Sequence, residues 1–232
     1  MFVELFVGTL TRYYSADWQN GRTRAGQPSP FGPPKQQNAV TVTDSVELQG
    51  IIAEWRENAS LKLKEHLKEP LTWQEGMLPP YFVGEIGFGG YGGAVLLTAY
   101  TANAHLQRPV TFVKTWEGDP AIEASLKAER KDPVWEVMNC GLWFPDNFAF
   151  GIGLKDPSGT PLKAGSIELL WKALEYLNEV NWGADPADIA SWRGRTLVET
   201  DPFELQAQFG FATFYEMTRI ARENRLPMKL HY

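Results

Sequence analysis

The sequence predicts a single α+β (or α/β) domain: a mixed sheet, a strand-helix-strand-helix-strand middle and a mostly helical C-terminal third. Three observations carry this. Short runs of β-branched and aromatic residues alternate with segments whose apolar residues recur at helical spacing. From residue 166 onward the helical pattern dominates, with Ile167, Leu170, Trp171, Leu174 and Leu177 on one face. The chain of 232 residues has nine tryptophans, eight tyrosines and thirteen phenylalanines, enough apolar area for one substantial core.

In chain order, residues 3–10 read as a largely buried strand. Residues 15–37 form a long Pro/Gly-rich loop around Gln27-Pro28-Ser29-Pro30-Phe31-Gly32-Pro33-Pro34, which neither a helix nor an inner strand accommodates. Residues 40–42 make a short strand. Asp44 then caps a helix, with Glu47 completing a capping box and Leu48, Ile51, Ile52 and Trp55 as its apolar stripe. A second helical stretch covers 60–68. Strands follow at 81–86 and 110–116, separated by a buried helix at 94–106. Further strands are expected at 134–138 and 148–154.

Asp119-Pro120, Asp185-Pro186 and Asp201-Pro202 each place a capping acid before a proline suited to the first helical turn. Glu204 completes a capping box in the third. Asp132-Pro133 stands in a different context, and Asp156-Pro157-Ser158-Gly159 reads as a turn between strands. The longest helix is expected at 203–222. Residues 226–232 read as an edge strand. No linker or internal repeat divides the chain, so residues 1–232 form one domain.

Residues 84–93, G-E-I-G-F-G-G-Y-G-G, contain the dinucleotide pattern G-x-G-x-x-G at Gly87, Gly89 and Gly92. A strand precedes the run, and a helix and second strand follow. The acidic residue that binds ribose hydroxyls roughly 20 residues further on is missing. Gln107, Arg108 and Phe112 stand there, and the first acids are Glu117 and Asp119. A P-loop ending is also absent, because Gly93-Ala94-Val95 follows. The run is therefore read as a flexible turn between a strand and a buried helix, presenting Phe88 and Tyr91.

Other chemistry is sparse. His66, His105 and His231 have no metal-ligand spacing, and with one cysteine, Cys140, there is neither a zinc signature nor an intrachain disulfide. No catalytic residue and no cofactor is assigned. The net charge of −6 argues against a nucleic-acid surface and suits a basic partner. No apolar stretch is long enough for a membrane span. The absence of a secretory signal and of paired cysteines points to the cytoplasm.

In general character the chain is similar to compact bacterial accessory proteins, including immunity proteins that neutralise toxins: acidic, aromatic-rich and without a catalytic motif. That resemblance implies a non-catalytic protein-binding role toward a basic toxin or effector. Tyr13, Tyr14, Trp18, Phe88, Tyr91 and Trp143 are the expected contact residues, since aromatic side chains dominate such interfaces. The alternative is a nucleotide- or cofactor-dependent enzyme using Gly87, Gly89 and Gly92.

Overall fold

The computed structural model describes residues 3–16, 18, 45–65, 67, 69–112, 115–198 and 200–232. The expected strand at 40–42, the Asp44 cap and most of the 15–37 loop lie outside them. The described elements run β1 (Glu4–Val7), α1 (Leu10–Tyr14), α2 (Ser45–Leu63), β2 (Phe82–Glu85), α3 (Gly87–Ala102), a 3₁₀ turn (Trp116–Gly118), α4 (Pro120–Lys127), α5 (Pro133–Met138), β3 (Leu142–Phe144), β4 (Ile152–Lys155), β5 (Pro161–Ser166), α6 (Ile167–Asn181), α7 (Pro186–Arg193), α8 (Phe203–Asn224) and β6 (Met228–His231). The fold is α+β, with one mixed sheet in the order β2-β1-β6-β3-β5-β4 and a helical C-terminal third. The β3–β5 pair is parallel and the other neighbours are antiparallel. No helix among the described residues is long and apolar enough to cross a membrane.

Period-2 alternation sorts the strand residues onto two faces. Leu5, Val7, Trp143, Met228 and Leu230 point into the larger core beneath α3, α5, α6 and α8. Leu142, Phe144, Leu154 and Ala164 point to the other face, where α2, Leu10, Leu71 and Trp73 cover them. β6 lies between β1 and β3, so residues 226–232 supply an inner strand rather than the expected edge. Pro227 does not oppose this position, because it precedes the first paired residue.

Several helix starts follow their sequence signals. Asp119 accepts the amide of Ala121, and Asp185 those of Ala187 and Asp188. Asp132 does the same for Val134 and Trp135, so residues 133–138 are a short helix and not a strand. The Asp-Pro start outweighs the β-propensity of Val134 and Val137. At α8 the expected cap is not made. Asp201 accepts the amide of Val198 instead, Pro202 occupies the N-cap, and the Glu204 carboxylate takes the Trp182 indole N–H. Among the described residues of the expected strand at 110–116, the pairing is one bridge, Thr111 with Pro202, and Trp116 is buried at the start of the 3₁₀ turn. The two helical stretches after residue 44 are one helix, α2.

The glycine run is corrected most. It is helix from Gly87 onward, not a flexible turn. Each glycine in a helix interior costs roughly 1 kcal/mol relative to alanine. Here α3 lies against α8 at backbone contact, which only glycine allows. A Cβ on Gly93 would sit 2.6 Å from the Gln206 carbonyl carbon, and one on Gly210 would collide with the Gly90 carbonyl oxygen. Gly92 leaves space for the Trp116 indole and the Phe112 ring. Of the three glycines in the cofactor-like spacing, only Gly89 meets α8, at the Gln206 side chain; the backbone contact belongs to Gly90 and Gly93.

Candidate functional site

On the second face of the sheet, strands β1 and β6 carry an unusual set of residues. Glu4 pairs with His231 and Phe6 with Lys229, and Lys229 also faces Leu142 across the β3–β6 ladder. A lysine and a histidine thus alternate with Met228 and Leu230 on an inner strand. Helix α1 closes over them. Thr9 caps it by accepting the Arg12 amide, while its hydroxyl donates to the Gly76 carbonyl at 2.7 Å. The Glu75 carboxylate accepts the amides of Leu10 and Thr11 at 3.1 and 3.0 Å and the Thr11 hydroxyl at 2.7 Å. An acid at a helix N-terminus satisfies amides that lack intrahelical partners. This short helix therefore has a fixed position, and Tyr13 and Tyr14 with it.

Asp156, from the turn between β4 and β5, is the hub. It accepts the Tyr14 hydroxyl at 2.6 Å, Lys229 Nζ at 3.2 Å, and the Ser158 hydroxyl and amide at 2.6 and 3.0 Å. It also accepts the Thr160 amide at 3.1 Å. Burial pushes this carboxyl up, but the hydrogen bonds from Ser158 and Tyr14 and the Lys229 charge outweigh it and hold Asp156 below its ordinary range. For Lys229 burial wins: its ammonium is held below the usual lysine range despite Asp156. The ammonium lies 5.2 Å from the Tyr13 ring centre and 5.9 Å from that of Tyr14, so two aromatic faces share its charge. Burial and the Asp156 charge raise both tyrosines above the ordinary phenol value.

Tyr13 hydroxyl lies 2.9 Å from His231 Nδ1. Trp18 stacks on Tyr13 with centroids 5.9 Å apart, meets His231 edge-on at 5.0 Å and donates its indole N–H to the Tyr13 carbonyl. The cluster Tyr13, Tyr14, Trp18, Asp156, Lys229 and His231 is the main buried polar constellation on this face. Its chemistry is that of a clamp: each ionic or hydroxyl group engages another group of the fold, and α1 is tied to two strands and a hairpin.

Beside α1 runs α2. Leu48, Ile52, Ala59 and Leu63 face inward. Its outward face presents Val46, Gly50, Ala53, Glu57 and Leu61 at helical spacing, flanked by exposed Glu47 and Glu54. Val46 is 73% and Leu61 62% exposed. Arg56 turns inward to the Trp73 carbonyl and ring, so among the described residues of α2 the middle of this outer face carries no positive charge. Gly76 lies against the Gln49 side chain, and Leu78, two residues on, is 94% exposed.

Tyr13, Tyr14 and Trp18, expected as partner contacts, lie in and just after α1, where their hydroxyls and the Trp18 indole N–H are hydrogen-bonded within the fold. Phe88 and Tyr91 are half-buried on α3, both against Trp116, and are not presented by a loop. Trp143 is fully buried, donates its indole N–H to the Val137 carbonyl at 2.8 Å and meets Phe214 edge-on, so it is a core residue with no route to a partner. Gly89 faces the Gln206 side chain and Gly92 the Trp116 indole, and Gly87 takes a positive φ of 63° where the strand turns into α3. All three glycines lie in helix α3. Cys140 is buried beneath Gly165, and burial pushes its thiol up to about 12, so it is not a reactive thiolate. Asp156, Lys229 and His231 were missed, although the alternation Met-Lys-Leu-His carried the signal for two of them. Comparison with protein families, curated proteins and solved structures finds no match to this chain.

Proposed function

We propose that this chain acts by binding a basic protein partner, in the manner of a cytoplasmic bacterial immunity protein that neutralises a toxin or effector enzyme. The observation that carries the reading is the outward face of α2. Two well-exposed aliphatic side chains, Val46 and Leu61, share this face with Glu57 and are flanked by Glu47 and Glu54. Apolar anchors supply affinity once desolvated, and a ring of like charge steers an oppositely charged partner and sets its orientation. The chain's net charge of −6 acts in the same direction at long range. The clamp around Asp156 contributes by fixing α1, against which α2 packs.

Coexpression with the product of each neighbouring gene tests this. A basic polypeptide should copurify in stoichiometric amount, and its toxicity should be suppressed. The triple variant E47K/E54K/E57K should weaken that complex at least tenfold, through a slower association rate that loses its salt dependence, with an unchanged melting temperature. An affinity insensitive to the three reversals, or no complex with any neighbour, would overturn the assignment.

A further inference from the structure

On the opposite side of the sheet from α2, the C-terminal ends of α3 and α6 diverge around a cleft of about 240 Å³. Tyr100 and Leu106 form its inner wall, and Tyr176 and Val180 on α6 form its outer lip. Arg108 projects into it. Its guanidinium donates to Asn181 Oδ1, and Asn181 donates in turn to the Thr101 hydroxyl at 3.3 Å and the Leu177 carbonyl at 2.7 Å. The amide therefore bridges the two helix ends and aims the guanidinium. The Tyr100 hydroxyl is held by Asp119 at 3.0 Å, which fixes the ring at the back of the cleft.

Among the described residues Arg108 pairs with no carboxylate. This is unexpected in a chain with 28 acidic residues, for a half-buried cation whose neighbour is a neutral amide. A guanidinium has five N–H donors in a planar fork; the bond to Asn181 uses one of them, and Arg108 lines the cleft. Planar bidentate pairing is the geometry a carboxylate offers. Two tyrosine rings and two aliphatic side chains around the fork suit a flat apolar body, and the volume lies below that of pockets for drug-sized ligands.

We propose that this cleft binds a small aromatic carboxylate, its carboxylate on the Arg108 guanidinium and its ring between Tyr176 and the Tyr100–Leu106 wall. The site is separate from the α2 surface and does not depend on the partner-binding reading. A cation at two helix C-termini also interacts favourably with their dipoles, so Arg108 has a structural role that the experiment must separate from ligand binding.

The test is calorimetric and NMR titration of the full chain with benzoate, 4-hydroxyphenylacetate, their neutral amides, acetate and inorganic phosphate. The aromatic carboxylates should bind saturably, at least tenfold more tightly than their amides or acetate, with chemical-shift changes centred on Tyr176 and Asn181. Arg108→Gln should weaken binding at least tenfold. Val180→Trp, at a half-exposed lip position, should block the cleft to a similar degree while preserving the fold. Absence of saturable binding, equal affinity for the amides, tighter binding of phosphate, or binding unchanged in Val180→Trp would each overturn the proposal. A loss of stability in Arg108→Gln with no ligand bound by the parent protein would leave only the capping role.

Discussion

At the scale of single residues, a buried carboxylate and a half-buried one behave oppositely. Asp156 is surrounded by donors and sits below its ordinary range. Asp146, just after β3, has one carboxylate oxygen buried without a hydrogen-bond partner. Burial pushes its pKa up to about 6, although the Thr72 amide and the charges of Arg225 and Arg56 act against that shift. The sign of the pH dependence follows from linkage. In the unfolded chain an aspartate titrates near 4, so between about pH 4 and pH 6 the folded state holds the proton more tightly. Stability associated with Asp146 is therefore highest below pH 4, falls as pH rises to about 6, and stays at the lower level above that. Asp146→Asn removes the cost of the buried charge. At pH 7.5 the variant should be more stable by about 1 kcal/mol, discounted from the full shift because the group is partly open to water. The difference should vanish below pH 4. Urea denaturation across this range measures it, and a constant difference between variant and parent at all pH values would exclude the titration of Asp146 as its source.

At the scale of elements, the α3–α8 contact determines how the glycine run must be read. Gly90 and Gly93 meet Gly210 and Gln206 at backbone distance, so an added methyl group has no space to enter. Gly93→Ala and Gly210→Ala should each lower stability by about 2–3 kcal/mol or more, since overpacking outweighs the gain in helix propensity. Gly50→Ala, on the open face of α2, should raise it by about 0.5–1 kcal/mol. Thermal unfolding of the three variants separates the packing effect from propensity. The same contact shows what was legible in the sequence. Asp119 and Asp185 carried their helix starts in local text, because a cap involves only the next three residues. The turn at Asp156 was legible for the same reason. The function of Gly90 and Gly93 was not, because it depends on Gly210, more than a hundred positions away. Val134 and Val137 favoured a strand by composition, and the adjoining Asp132-Pro133 signal overrode them. Trp143 looked like an interface aromatic, but composition does not reveal which side of a sheet a residue occupies. The alternation around Lys229 and His231 was visible, yet its meaning required α1 and the β4–β5 turn to be placed over it.

At the scale of the whole molecule, the sheet joins segments from opposite ends of this sequence. β6 pairs with β1 through the register Glu4 with His231 to Val7 with Met228, and with β3 through Leu142 and Trp143. It is the strand that links the antiparallel β2–β1 pair to the β3–β5–β4 half. Met228 and Leu230 fill the larger core, while Lys229 anchors the clamp at Asp156 on the other face. Removing residues 226–232 would therefore leave two unpaired strand edges, open the core on one face and release α1 on the other. An edge strand would be dispensable at moderate cost, whereas an inner strand carrying groups of both faces is not. The truncated chain should lose the near-ultraviolet circular dichroism of its packed tryptophans and unfold without a cooperative transition, because the two halves of the sheet no longer share a core. Pairing across so long a separation also carries a large loop-closure cost before any contact compensates for it. Refolding of the intact chain from denaturant should accordingly be slower than that of helical bundles of similar size, as followed by near-ultraviolet circular dichroism. A truncated chain that retained a cooperative melt within a few degrees of the parent would show that β6 is peripheral to the fold.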